Sequence, residues 1–263
     1  MRTTLLTLLL LCTPAFAADL TLELPSGKRT LSSAELLANP QVREIEVPDD
    51  VSYHRTMHYR AVPLASLLSG VTPDAHLQAV ALDGFAAELP AAALLQTQGA
   101  RAWLAIEEST QPWPPLAAGK PSAGPFYLVW TDPQASRISP EQWPFQVASL
   151  RYLPSVAERF PALLPDADAG NDVQQGFALF QKHCLACHRL NGAGDAQFGP
   201  DLNQPHSPTE YFADGYLKLY IRDPQSLRHW PQAKMPGFAK ANLSDQELDQ
   251  LVGYLKHMAQ KRG

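Results

Sequence analysis

The sequence predicts an α+β domain built on a mixed sheet, followed by an all-α domain. Three observations lead there. Short strand-like runs separated by turn signals occupy the chain from Ala18 to about Leu164. The stretch "RFPALLPDADAGNDV" then breaks the pattern with prolines, small residues and acids, and beyond it apolar residues recur at helical spacing. A length of 263 residues fits two domains at roughly 100 to 200 residues each. The expected division is an export signal at 1–17, a first domain at 18–164, a linker at 165–172 and a second domain at 173–263.

The opening "MRTTLLTLLLLCTPAFA" has the parts of a secretory signal: Arg2 as a positive start, an apolar run from Leu5 to Leu11, and Ala15-Phe16-Ala17 as a cleavage site. The run is well short of the roughly 20 residues a spanning helix needs, so the mature chain, starting near Ala18, is expected to lack a membrane span and to be periplasmic. Bulky Leu11 argues against lipid attachment at Cys12. Cleavage would remove Cys12 and leave Cys184 and Cys187.

In the first domain, Leu20, Leu22 and Leu24 alternate and lead into a turn at Ser26-Gly27, a strand entering a hairpin. Ser32 and Glu35 form a capping box ahead of a short helix. Pro63 suits the first turn of a helix closed by Gly70. "LQAVALDGFAAELP" reads as two strands around Asp83-Gly84. Further strands are expected at "ARAWLAIE", "GPFYLVW" and "FQVASLRYL", with a structured loop from Pro112 to Pro125. In the second domain, Val173, Phe177 and Phe180 share a helical face, as do Leu248, Leu251, Val252 and Leu255. Ser244 and Glu247 cap the closing helix, with Leu243 and Leu248 as its staple.

A formal charge of -5 and the lack of a Lys/Arg run exclude nucleic acid as the expected partner. Redox partner proteins or a small ligand remain. The chemistry concentrates in "FQKHCLACHRLNGAG", where C-x-x-C is followed at once by His188. A redox dithiol gives that histidine no set role, and zinc needs a second ligand pair that the sequence lacks. C-x-x-C-H is the attachment pattern of c-type haem, with Cys184 and Cys187 bonded to the porphyrin and His188 beneath the iron.

Residues 170 to 263 closely resemble the class I cytochrome c family, through Gly176 and Phe180, "CLACH", "FGPDL" at 198–202, "KMPGF" at 234–238 and Tyr254 in the last helix. The resemblance implies one covalent haem c, with the Pro200 carbonyl supporting His188 Nδ1, Met235 as distal ligand and Gly176 at a close helix crossing. His257 and Met258, the alternative distal donors, lie on the closing helix, whereas Met235 sits in an irregular Pro-flanked loop. Met/His ligation leaves no open iron position, so the expected role is electron transfer rather than catalysis at the haem. Lys182, Arg189, Lys234 and Lys240 flank the ligand segments, either as a basic ring for an acidic partner or as ordinary solvated surface charge.

The first domain resembles the molybdopterin-binding domain of sulfite-oxidase-type oxidoreductases through "YRAVPLASLL", "ALDGFAAELPAAAL" and "GKPSAGPFYLVW". It departs from that family in having no cysteine to ligate molybdenum, and the signal has no twin arginines. Molybdopterin is therefore not expected, and the domain is read as a module for partner docking or ligand binding. The alternative is an enzyme with a molybdenum or copper centre here that passes electrons to the haem. His54, Met57 and His58 would make a metal site, one that suits copper, if their stretch were helical, but the following "YRAVPL" argues for extended or loop geometry, in which they are ordinary surface residues. Arg60, Asp83, Arg101, Trp113, Lys120 and Trp130 are candidates for a pocket or docking surface.

Overall fold

The computed structural model describes residues 18–213 and 215–262. The expected signal at 1–17, with Cys12, lies outside the described residues. Strands β1 (Asp19–Leu24) and β2 (Gly27–Ser32) pair around Pro25 and Ser26, so the turn falls one residue earlier than the sequence suggests. Helix α1 (Ser33–Leu37) starts at the expected box, in which the Ser32 N–H donates to Glu35 Oε2 at 2.7 Å and the Glu35 N–H donates to Ser32 Oγ at 3.2 Å. Strands β3 (Arg43–Val47) and β4 (Met57–Pro63) follow. Strand β3 is not anticipated, because charged residues fill its outer positions, whereas the extended or loop reading of "YRAVPL" reaches β4 only in part.

Strand β4 corrects two expectations. Met57, Tyr59 and Ala61 point inward while His58 and Arg60 face solvent, and this alternation carries extended backbone through Pro63. The anticipated α-helix shrinks to a single 3₁₀ turn at Leu64–Leu67. The same pleat separates the His54, Met57 and His58 group: His54 is exposed in the preceding turn, Met57 is buried in the core, and His58 faces Glu46 across the sheet. Period-two geometry places adjacent residues on opposite faces, so Met57 and His58 cannot share a metal.

Strands β5 (His76–Ala81) and β6 (Ala86–Pro90) form the hairpin over Asp83-Gly84, and helix α2 (Ala91–Leu94) follows. Strands β7 (Arg101–Ile106), β8 (Phe126–Thr131) and β9 (Val147–Leu153) complete the domain. They assemble into a five-stranded sheet, β2-β1-β9-β5-β6, and a four-stranded sheet, β3-β4-β7-β8. The β1–β9 pair is parallel and its neighbours antiparallel, which makes the first sheet mixed. Both sheets contribute to one core around Tyr59, Phe126, Tyr127 and Trp130.

A second core is helical. The helices here are α3 (Val156–Arg159), α4 (Asn171–His183), α5 (Pro208–Tyr211), α6 (Tyr216–Arg222), α7 (Pro224–Leu227) and α8 (Asp245–Ala259), of which α3, α4, α6 and α8 bury side chains in this core. Helices α4 and α8 cross where a Cβ on Gly176 would lie 2.6 Å from Tyr254 Cβ and closer still to the Gln250 carbonyl. The segment between the cores belongs to the helices. Val156 and Leu163 are buried among them, the Tyr254 hydroxyl donates to the Leu163 carbonyl at 2.6 Å, and Lys261 meets Asp166 at 2.7 Å. The divide between the two cores therefore falls near Leu153, ahead of the anticipated linker, because the apolar side chains of the Pro-rich stretch find partners on α8.

The two domains meet through a polar cluster. Arg159 donates to Glu88 on β6 at 2.7 Å and to Asp195 in the helical domain at 2.9 Å, Gln78 reaches Asp195 at 2.8 Å, and His76 bonds Glu88. Burial opposes ionisation of Glu88, but hydrogen bonds from His76 and Arg159 outweigh it and hold the carboxyl below its ordinary range. A depressed folded value gives stability that is present above the unfolded value near 4.5 and is lost as pH falls through the folded one. Acidification below that value is expected to weaken the interdomain tie, and Glu88→Gln to cost about 2 kcal/mol at neutral pH. Unfolding free energy measured from pH 3 to 7 checks this: the Glu88→Gln chain should show a flatter acid limb.

Candidate functional site

Helix α4 ends at Cys184, whose N–H bonds the Phe180 carbonyl at 2.9 Å. A turn follows immediately, with the Cys187 and His188 N–H groups donating to the Cys184 carbonyl at 3.0 and 2.8 Å. Both thiols and the imidazole are thus fixed relative to the end of one helix. Burial, then the neighbouring Glu141 carboxylate, pushes the Cys184 thiol well above its usual range, and burial, Glu141 and Asp83 push Cys187 up to about 11. Thiols raised in this way are poor nucleophiles, because the thiolate is the reactive form.

The segment from Phe198 to Leu202 is laced across this turn. The Gly199 N–H donates to the Cys187 carbonyl at 2.7 Å and the Leu202 N–H to the Arg189 carbonyl at 2.8 Å. The Asp201 carboxylate accepts the N–H groups of Asn191, Gly192 and Asn203 at 3.1, 2.7 and 2.8 Å, fixing the loop at its far end. His188 Nδ1–H then donates to the Pro200 carbonyl at 2.8 Å. Burial lowers the imidazole pKa against the raising effects of Pro200 and Asp201, favouring a neutral ring with the Nε2 lone pair available to a metal. Gly199 allows this arrangement, since a Cβ there would lie 2.5 Å from His188 Nδ1.

Met235 is half-buried and packs against the helical core. Its loop is held to α6 just beyond it: the Phe238 N–H donates to the Ile221 carbonyl at 3.1 Å, and Arg222 donates to the Phe238 carbonyl at 2.9 Å. The alternative donors are committed elsewhere. Met258 is fully buried in the core, and His257 Nε2 accepts the Asp166 N–H at 3.1 Å.

Residues 173–259 match the family model described as Cytochrome c. The C-terminal domain is a cytochrome c domain. No curated protein matches the chain. A cytochrome c domain carries covalently bound haem c and moves electrons. The residues present fit that group: two thiols directly ahead of an imidazole whose Nδ1 is already hydrogen-bonded, beside a loop whose glycine leaves room for the ring.

Other candidates fall in different places. Trp130 is a core residue, and Trp113 packs edge-on against Tyr59 at 4.8 Å. Arg60 pairs with Glu108 at 3.1 Å, while Arg101 and Lys120 are exposed. Of the basic residues around the cytochrome site, Lys182 points to the first domain and donates to the Arg137 carbonyl at 3.0 Å, Lys240 pairs with Asp245 at 2.6 Å, and Arg189 and Lys234 face solvent. Among the described residues, no group of three or more His, Cys, Asp or Glu side chains is placed to hold a metal.

The structure adds residues that sequence reading does not single out. Glu141 of the first domain faces the buried His183 Nδ1 at 3.4 Å, one residue before Cys184. Phe85, beyond the β5–β6 turn, packs edge-on against Phe198 at 6.1 Å between ring centroids. The first domain therefore abuts the C-x-x-C-H turn on two sides. These residue types carry no signal in sequence, since their role depends on contacts between domains.

Met235→Ala is expected to leave haem attached and to abolish the sulfur-to-iron band near the red end of the oxidised spectrum. A difference spectrum of the two ferric proteins checks this; a surviving band would assign the distal position to another group.

Proposed function

We propose that the chain is an exported, periplasmic monohaem electron carrier whose first domain has the sulfite-oxidase-like fold without its molybdenum and serves to dock a redox partner or bind a ligand. The observation that carries the reading is the His188–Pro200 hydrogen bond beside two paired thiols, a preparation for an axial imidazole. In this reading Cys184 and Cys187 anchor one haem and His188 and Met235 hold its iron. The haem supplies reversible one-electron chemistry when bound. The chain fixes the His188 tautomer through Pro200, holds the Met235 loop through Arg222, and keeps solvent from the thiol side with Glu141, Phe85 and their neighbours in the first domain. With His188 and Met235 both committed to holding the iron, the haem would supply electron transfer rather than substrate chemistry, which favours a carrier over a catalyst.

The first domain has no cysteine among its described residues and the leader lacks twin arginines, and both support the reading without molybdenum. Elemental analysis of protein purified from the periplasm of a haem-c-competent host tests it. One iron per chain and no molybdenum or copper is the expected result, whereas stoichiometric molybdenum or copper would make the first domain an enzyme.

A further inference from the structure

A cavity of about 400 Å³ opens in the first domain between the turn after β3, the β5–β6 turn, the β7–β8 loop at Leu116 and the loop before β9. Phe85, Trp143 and Phe145 give it aromatic walls, and Ser52, His54 and Asp83 are its polar side chains. Its size lies in the ordinary range for small-molecule sites, as does the pattern of apolar walls with few polar groups. Phe85 both lines this cavity and packs on Phe198, the neighbour of Gly199 at His188. Pro140 also lines it, and the adjacent Glu141 reaches His183. The cavity therefore backs onto the C-x-x-C-H turn.

We propose that this cavity binds an uncharged aromatic molecule of one or two rings that carries a hydroxyl or amino hydrogen-bond donor. The inference rests on reading the first domain as a binding module and names the chemistry of its ligand. Flat, apolar walls favour a ring over a flexible chain, since offset or edge-to-face contacts with Phe85, Trp143 and Phe145 add to simple burial. Asp83 sets the polarity. Its Oδ1 accepts the Phe85 N–H at 3.0 Å, which orients the carboxylate, and a carboxylate offers a ligand only acceptor oxygens. Among the described residues, no lysine or arginine lines the cavity, and Asp83 and nearby Glu141 both repel an anion. The same lining has, among the described residues, no lysine or arginine for the phosphate of a pterin cofactor and no cysteine for its metal.

The test uses full-length, haem-loaded protein and two probes of nearly equal shape, 2-naphthol and the anion 2-naphthoate, titrated by calorimetry. One 2-naphthol should bind per chain, with the anion at least about tenfold weaker, a difference of about 1.4 kcal/mol. Val51→Trp places a large side chain at the half-buried rim and should weaken 2-naphthol binding at least about tenfold. Asp83→Asn can keep the turn hydrogen bond through its side-chain carbonyl and should narrow the preference between the probes. Equal or reversed preference in the parent protein, or undiminished binding in a folded Val51→Trp chain, would overturn the proposal. If Val51→Trp does not fold, ring-current shifts at Ala81 and Phe85 on adding 2-naphthol to the parent protein decide: their absence also overturns it. Metal analysis of the same samples keeps the two readings apart, because molybdenum would defeat the carrier function while the probe titration judges the cavity.

Discussion

His188→Ala is expected to yield chain without stably attached haem, and Gly199→Ala to come part of the way by a different route. The first removes the axial nitrogen. The second keeps it but inserts a methyl 2.5 Å from Nδ1, so the ring must swing out of its hydrogen bond to Pro200. Loss of the partner that orients a metal-bound histidine typically costs about 10–100-fold in metal affinity. Haem per polypeptide, from the alkaline pyridine spectrum, should fall to background for His188→Ala. In Gly199→Ala, residual covalent haem should show a weakened low-spin spectrum. Gly170→Ala is the control, since a Cβ there meets nothing within 4 Å. If Gly199→Ala retained a normal spectrum, the loop would be yielding around the ring, and His188 would not be rigidly prepared for the iron.

This contrast also explains what the sequence could and could not disclose. Cys184, Cys187 and His188 are legible because their chemistry requires adjacency in the chain, and the Ser32, Ser244 and Asp83-Gly84 signals because caps and turns are local too. Gly199 is legible only as part of a family pattern; its reason, the His188 ring, is a contact across the loop. Strand β4 is hidden because His58 and Arg60 are compatible with a polar loop until Met57, Tyr59 and Ala61 are seen to share a buried face. The interdomain cluster is the least visible. Glu88, Arg159 and Asp195 come from distant parts of the chain and are of types usually found solvated, so nothing short of the tertiary arrangement brings them together. The cavity is hidden for the same reason, its walls being drawn from four separate loops.

Gly176→Val should unfold the helical domain while sparing the sheet domain, and Gly253→Ala, on the helix that Gly176 faces, should do the opposite of harm. At Gly176 the first added carbon already meets Tyr254 Cβ at 2.6 Å and the Gln250 carbonyl, atoms of the α8 scaffold that cannot rotate away. Valine then adds two methyl groups, and forced separation of α4 from α8 is expected to cost about 3 kcal/mol or more. A Cβ on Gly253 would meet nothing within 4 Å, and the residue sits inside α8, so alanine there should stabilise the helix by roughly 0.5–1 kcal/mol. The crossing also positions the site. Tyr254 packs on Phe180 at 5.5 Å between centroids, and Phe180 supplies the carbonyl that caps Cys184. Separating the helices therefore loosens the thiol-bearing turn as well as the core. Because the sheet core and the helical core are distinct clusters, thermal unfolding of Gly176→Val should show the helical transition early or absent, with the sheet transition near its parent temperature. A single transition shifted as a whole would mean that the Arg159 contacts couple the two cores into one cooperative unit.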